Sequence, residues 1–254
     1  MLMFDPPIEL LPDGPAGARR FKIKATEGDR RRGLLATMLE GRPFRRGEVS
    51  TAALLDPTVQ RFTLAAVDEQ QTIGTVTVVV DGRETLPVAQ DFPQEVAALR
   101  AQGRHLCEFT RLAIDPTVGS KRMVAALVHV AYIVAHRLRG FDTLLMAVHP
   151  RHADTYARLL GCRLIGPSRV ARRSQRPEVL LAVDFAYVMA QIGRFGGQPA
   201  LAEQEPSLYP FTLTLSEEAS ILDRLRSRQQ PWPASGDSLS PRDLDSQPSD
   251  LASL

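Results

Sequence analysis

The chain has only two cysteines, Cys107 and Cys162, in 254 residues. A single pair cannot build the disulfide framework of a small secreted scaffold. Both lie inside apolar segments, so the expected setting is a reducing cytoplasm. Long apolar runs are also missing. None reaches the ~18 residues a membrane-spanning helix needs, and the longest helical candidate carries His129, His136, Arg137 and Arg139. The first thirty residues hold Pro6, Pro7, Pro12 and Pro15 with no basic start ahead of an apolar core, so no secretory signal is expected. Zinc-finger spacing, aromatic–basic interleaving, a P-loop and a GxGxxG loop are all absent. Neither a nucleic-acid partner nor a nucleotide cofactor is therefore expected. Lysine is scarce: Lys22, Lys24 and Lys121 are the whole set in a Lys+Arg total of 31.

What is present is globular. Apolar residues are 44% and charged ones 24%, which excludes wholesale disorder and fibrous repeats. The net charge is +2, but from Arg228 onward two arginines face four aspartates, which leaves the body more basic. Arginines cluster at Arg30–Arg32, Arg45–Arg46 and over Arg169–Arg176. Such patches suit a phosphate-bearing ligand or an acidic protein, or are simply a solvated surface.

Periodicity divides the chain. Residues 1–18 are Pro/Gly-rich and read as an extended arm. Alternation at Phe21–Ala25 predicts a strand, and Leu34, Leu35, Met38 and Leu39 predict a helix after Asp29. Residues 62–67 and 73–80 read as an antiparallel hairpin. A short helix from Asp91 or Pro93 ends at Gly103. A strand follows at 106–114, a long helix at 121–139, a strand at 143–148, a helix at 151–160 and a strand at 179–185. Residues 187–195 and 216–228 are further helix candidates. The tail from 229, rich in Pro, Ser and Asp, reads as disordered. The fold class is α+β, with a mixed sheet flanked by helices. The strand–helix–strand–helix–strand run over 106–185 implies a partly parallel sheet, which would place ligands beyond the carboxyl ends of its strands, at Asp115 and His149.

Charged groups inside the apolar strand LCEFTRLAI need an explanation, because burying an unpaired charge is costly. Glu108 and Arg111 suit either a structural ion pair or a general base beside an anion-binding group. Strict alternation puts them on opposite faces, and only a bulge would bring them together. His149 and His152 straddle the next strand-to-helix corner. With no third ligand nearby, a cap and a pocket wall fit them better than a metal site. Cys107 lacks a paired histidine signature, and Cys162 reads as a small core residue.

The strand CEFTRLAIDP, the segment LLMAVHPRHADTYARLLGCRLIG, the hairpin end IGTVTVVVDG and the insert LPVAQDFPQEVAALRAQGR together resemble the GNAT acyltransferase superfamily. The similarity is greatest to its long-chain N-acyl amino acid synthases, such as N-acyltyrosine synthases. The E-x-x-R spacing from Glu108 to Arg111 is similar to that of acyl-homoserine-lactone synthases. This resemblance covers roughly residues 20–185 and divides the chain into the arm, an acyltransferase domain (19–186), a helical extension (187–228) and the tail. It implies a V-shaped splay in the sheet and transfer of a fatty acyl group from a thioester to an amino acid's amine, with no further cofactor. Within it Glu108 is the base, Arg111 holds the acceptor carboxylate or orients Glu108, and Tyr156 either protonates the leaving thiolate or packs. Phe109, Thr110 and Leu112 surround the reacting centre, with His149 and His152 on the substrate side. The splayed sheet and the 86–103 insert are the candidates for the acyl tunnel. Relatives that use acetyl-CoA carry an R/Q-x-x-G-x-G/A pyrophosphate loop where this chain reads TVGSKR. That departure is consistent with an acyl-carrier protein as donor. A homoserine-lactone synthase, an acyl-CoA-dependent acetyltransferase and a catalytically idle binding module are the alternatives.

Overall fold

The computed structural model describes residues 3–4, 11–13, 22–27, 58–68 and 71–227. The helix expected after Asp29 and the tail from 229 lie outside them. Strands β1 (Met3–Phe4), β2 (Lys22–Glu27), β3 (Arg61–Asp68) and β4 (Gln71–Val80) precede helix α1 (Pro93–Ala101) and strand β5 (Leu106–Ile114). Helix α2 (Lys121–Tyr132), strand β6 (Thr143–Val148) and helix α3 (Ala153–Leu160) follow. Short strands β7 (Arg163–Leu164) and β8 (Arg169–Val170), strand β9 (Pro177–Asp184) and helices α4 (Phe185–Phe195) and α5 (Leu215–Ser227) complete the described chain.

Among the described residues the sheet runs β2-β3-β4-β5-β6-β9-β7, with β1 beside β5 and β8 beside β9. Of the described strands, only β5 and β6 pair in parallel; β9 runs antiparallel to β6. The partly parallel reading of 106–185 thus holds: its first two strands are parallel and the third is antiparallel. Two short strands intervene after α3, so the chain re-enters the sheet from the opposite end.

Alternation sorts the sheet's side chains onto two cores. On one face Val76, Val78, Cys107, Phe109, Leu144 and Met146 pack with α2, α3, α4 and the C-terminal segment. On the other, Val79, Leu106, Leu145, Leu180 and Ala182 meet Leu86, Val88, Phe92 and Val96 of the insert ahead of and within α1. The C-terminal extension is no appendage: Leu208, Tyr209, Phe211 and Leu222 are buried in the first of these cores.

The long helix starts where the Ser120 hydroxyl accepts the Met123 N–H at 3.2 Å. An α-helix through 139 was expected, but Ile133–Leu138 winds as a π-helix. The reason is visible in what the turn holds. Arg137 lies eight residues after His129, which on a straight α-helix is about 80° round from it. A π turn takes up an extra residue and lets both side chains reach Glu218 of α5. The corner after β6 opens with a 3-10 turn, Pro150–His152. α3 ends at Gly161, whose left-handed φ of 75° is the backbone state that glycine adopts cheaply.

Candidate active site

The centre of the sheet is where its pairing fails. β6 stays in register with β5 only over Leu106–Glu108. Beyond that the two strands part, and β1 joins β5 only at Ala113–Ile114. Phe109–Leu112 therefore border a splay, as the resemblance implied. On the β4 side the register shifts: Thr77 faces Thr110 and Thr75 faces Ala113, so Val76 alone opposes Arg111 and Leu112. The strand is thus bulged, but the charges that act on Glu108 are those of Arg173, Arg61 and Glu178 rather than of Arg111. Arg111 sits in the bulge with φ 55°, a conformation that a non-glycine residue holds only when its surroundings impose it.

Glu108 is in register with Val79 and Leu145 and shares their face, pointing into the core under the insert. It is 1% exposed. One carboxylate oxygen accepts the Val88 N–H at 2.9 Å. Burial pushes its pKa up to about 7, against the pull of that hydrogen bond and of the charges on Arg173 and Arg61. A carboxyl group that titrates near neutrality can accept a proton from an ammonium and return it. Thr110 lies on the same face opposite Thr77, whereas Phe109 and Leu112 turn to the other core. Phe109 there meets Phe185 with ring centroids 6.3 Å apart.

At the carboxyl end of β6 one of the two histidines is a cap, as the sequence suggested, while the other is not part of the cavity wall described below. Half-buried His149 caps the turn, its Nδ1 accepting the Arg151 N–H at 3.3 Å. His152 is buried, and the Arg151 guanidinium donates to its Nε2 at 2.9 Å. Among the described residues no cluster suits a metal ion. Tyr156 is buried in the main core on α3, one turn past the corner. Burial pushes both thiols up, Cys162 to about 12, so neither is a ready nucleophile.

The loop ahead of α2 turns its amides inward. Thr117 N–H donates to the Asp115 carboxylate at 2.9 Å, and Gly119 N–H to the Asp115 carbonyl at 2.8 Å. Lys121 N–H is taken by the Pro12 carbonyl at 2.9 Å, and the Lys121 ammonium by Asp13 at 2.8 Å. The N-terminal segment thus covers a helix start that would otherwise attract an anion.

Two features escaped the sequence reading. The first is the seat of Glu108 on the insert's backbone: a main-chain N–H leaves no trace in residue identities. The second is an apolar cavity on the opposite face of the sheet from the insert. Its walls include Phe109, Tyr132, Leu144, Phe185, Ile192 and Tyr209. Its volume is about 20 Å³, room for about one water molecule. Phe109 is the first residue of β5 beyond its pairing with β6, so the splay borders the cavity. The insert does not: Leu86, Phe92 and Val96 are sealed into the other core. A signal for the cavity existed in the apolar stripe of residues 185–192, but its partner Tyr209 is remote in sequence.

The family of the N-acyl amino acid synthase FeeM matches this chain over residues 37–184. Among solved structures, FeeM, an N-acyl amino acid synthase from uncultured soil microbes, superposes with a TM-score of 0.52 at 23% identity. That alignment covers 67% of this chain and 93% of the other. The AHL synthase LasI gives 0.44 at 14% identity over 65% of this chain and 90% of its own. An acyl-CoA N-acyltransferase from Pseudomonas aeruginosa gives 0.40 at 13% over 64% and 99%. No curated protein matches.

Proposed function

The chain belongs to the FeeM family of N-acyl amino acid synthases and is an acyltransferase, and from that membership we propose that it moves a long-chain fatty acyl group from an acyl-carrier-protein thioester to the amino group of an amino acid. The observation that carries the reading is the seat of Glu108: a buried carboxyl that titrates at about 7 and lies where β5 and β6 part. Glu108 takes a proton from the acceptor's ammonium, and the freed amine attacks the thioester carbonyl. Backbone N–H groups of the splayed Phe109–Leu112 stretch steady the oxyanion, with Thr110 beside Glu108 on the acceptor's face. As the C–N bond forms and the C–S bond breaks, the departing thiolate takes a proton from the Tyr156 hydroxyl, and the second proton shed by the nitrogen restores that hydroxyl. Arg111, held in the bulge, binds the acceptor carboxylate, and His149 and His152 flank the acceptor at the end of β6. The acyl chain enters the apolar cavity beyond Phe109, whose walls part to admit it.

The inward-turned amides of the Asp115–Lys121 loop favour the carrier protein over free acyl-CoA. A pyrophosphate would have to displace the Pro12 carbonyl and Asp13 from Lys121. The test is product mass spectrometry with purified protein, acyl-carrier-protein and acyl-CoA donors at matched concentrations, and a panel of amino acids. Transfer from the carrier-protein donor should be the faster and should weaken as salt rises. Faster transfer from acyl-CoA, or an acceptor that is not an amino acid, would overturn the assignment.

A further inference from the structure

Tyr132 is the last residue of α2 and a wall of the apolar cavity. It is 1% exposed. Its ring meets Phe185 edge-on at 5.3 Å and lies 5.3 Å from His136 and 5.8 Å from His129. Among the described residues its hydroxyl has no hydrogen-bond partner. The other polar groups of the wall are all engaged. Tyr209 donates to the Leu160 carbonyl at 2.7 Å, and Thr212 to the Tyr209 carbonyl at 2.7 Å. His129 accepts the Leu213 N–H at Nδ1 and faces Glu218 at Nε2.

A buried hydroxyl without a partner is destabilising where phenylalanine would be free of the penalty. Burial, helped by the Glu218 charge, raises the Tyr132 phenol to about 12 and keeps it a neutral donor at working pH. Phe185 lies between this ring and Phe109, in contact with both. A chain that starts at the splay therefore reaches Tyr132 only after passing these aromatics, well along its length.

We infer that Tyr132 selects an acyl chain bearing a hydroxyl group on a carbon remote from the thioester, which pairs with the Tyr132 hydroxyl. The inference rests on the acyl-transfer reading, which puts the chain in this cavity. In the cavity's apolar surroundings the paired group gains a hydrogen bond that water cannot readily supply. An unsubstituted chain leaves the Tyr132 hydroxyl, already desolvated, still unpaired.

Two arms separate this claim from the acyl-transfer reading. In the first, free hexadecanoic acid and a series with one hydroxyl walked along the chain are titrated into the full-length protein by calorimetry. One hydroxyl position should bind about tenfold tighter than the plain acid, the gain from one well-made hydrogen bond. Tyr132→Phe should bind the plain acid at least as well and erase the preference. In the second arm, the same chains are offered as carrier-protein thioesters, and kcat/KM should follow the same order. If no hydroxyl position is preferred by the wild-type protein, or Tyr132→Phe retains the preference, the inference falls. If the binding preference stands but no donor is turned over, the acyl-transfer reading falls and the specificity of the cavity survives. The wild-type titration alone decides the matter should the variant fold poorly.

Discussion

Glu108→Gln removes an ionisable group from a site that resists charge while keeping an oxygen to accept the Val88 N–H. The carboxyl's pKa rises from its ordinary 4.5 to about 7 in the folded protein, chiefly through burial. The folded state therefore holds that proton more tightly than the unfolded chain. The stability tied to it is fully present below pH 4.5 and lost as pH rises through about 7. The gap corresponds to about 3 kcal/mol. At pH 4 the variant and the wild type should melt together. At pH 8.5 the variant should be the more stable by up to about 3 kcal/mol, or roughly 6–12 °C in Tm for a chain of this size. Activity should move the other way. Wild-type kcat/KM should climb through about pH 7 as Glu108 ionises, and the variant should lose about 10²–10⁴-fold with no such rise. Thermal melts at the two pH values and a pH–rate profile test both halves. Equal melting at both pH values would refute the burial argument, and wild-type-like turnover would refute the base.

Glu218→Ala should cost about 2–4 kcal/mol in urea unfolding at pH 7, because it strips the buried His129 of its acceptor and Arg137 of its ion pair. Burial alone would raise the Glu218 pKa, but the His129 hydrogen bond and the His129 and Arg137 charges hold it below 4.5. Its contribution is thus present above that value and fades as pH falls, and the variant should lose less stability on acidification than the wild type. Arg111→Gly relieves a left-handed backbone at φ 55°, worth about 1 kcal/mol, yet removes the guanidinium. The KM for the amino acid should rise at least tenfold, and an unchanged KM would reduce Arg111 to a backbone role. Tyr156→Phe should keep the melting temperature within a few degrees and lower kcat about tenfold or more if its hydroxyl protonates the thiolate. An unchanged kcat would leave Tyr156 as packing.

Much of the site was readable because its signals are local. A glutamate inside LCEFTRLAI marks a costly burial whatever the fold, and the HPRH corner announces a cap through Pro150 and the short reach of His149 to the Arg151 amide. Strand and helix periods placed β3 to β6 and α1 to α3 because alternation and the 3.6-residue repeat report which side of an element is buried. The sequence could state the condition for Glu108 and Arg111 to cooperate, a bulge in β5, but not that it exists. The bulge is a mismatch between β4 and β5, and register belongs to the pair of strands rather than to either one.

Tertiary structure alone decided the rest. The direction of β9 depends on how the chain returns after α3, so the same apolar run, Val179–Val183, would have served a parallel strand. The π turn in Ile133–Leu138 accompanies a contact with Glu218, which is 89 residues from His129. Glu108 titrates near neutrality because the Leu86–Val96 insert folds over it and shuts out water, and it stays oriented through an amide 20 residues away. The cavity needs Phe109, Phe185 and Tyr209 at once, from three segments with no shared period. Local hydrogen bonding and side-chain alternation act over a few residues and are written in sequence. Burial and electrostatics act through space, on whichever groups the closed chain brings together.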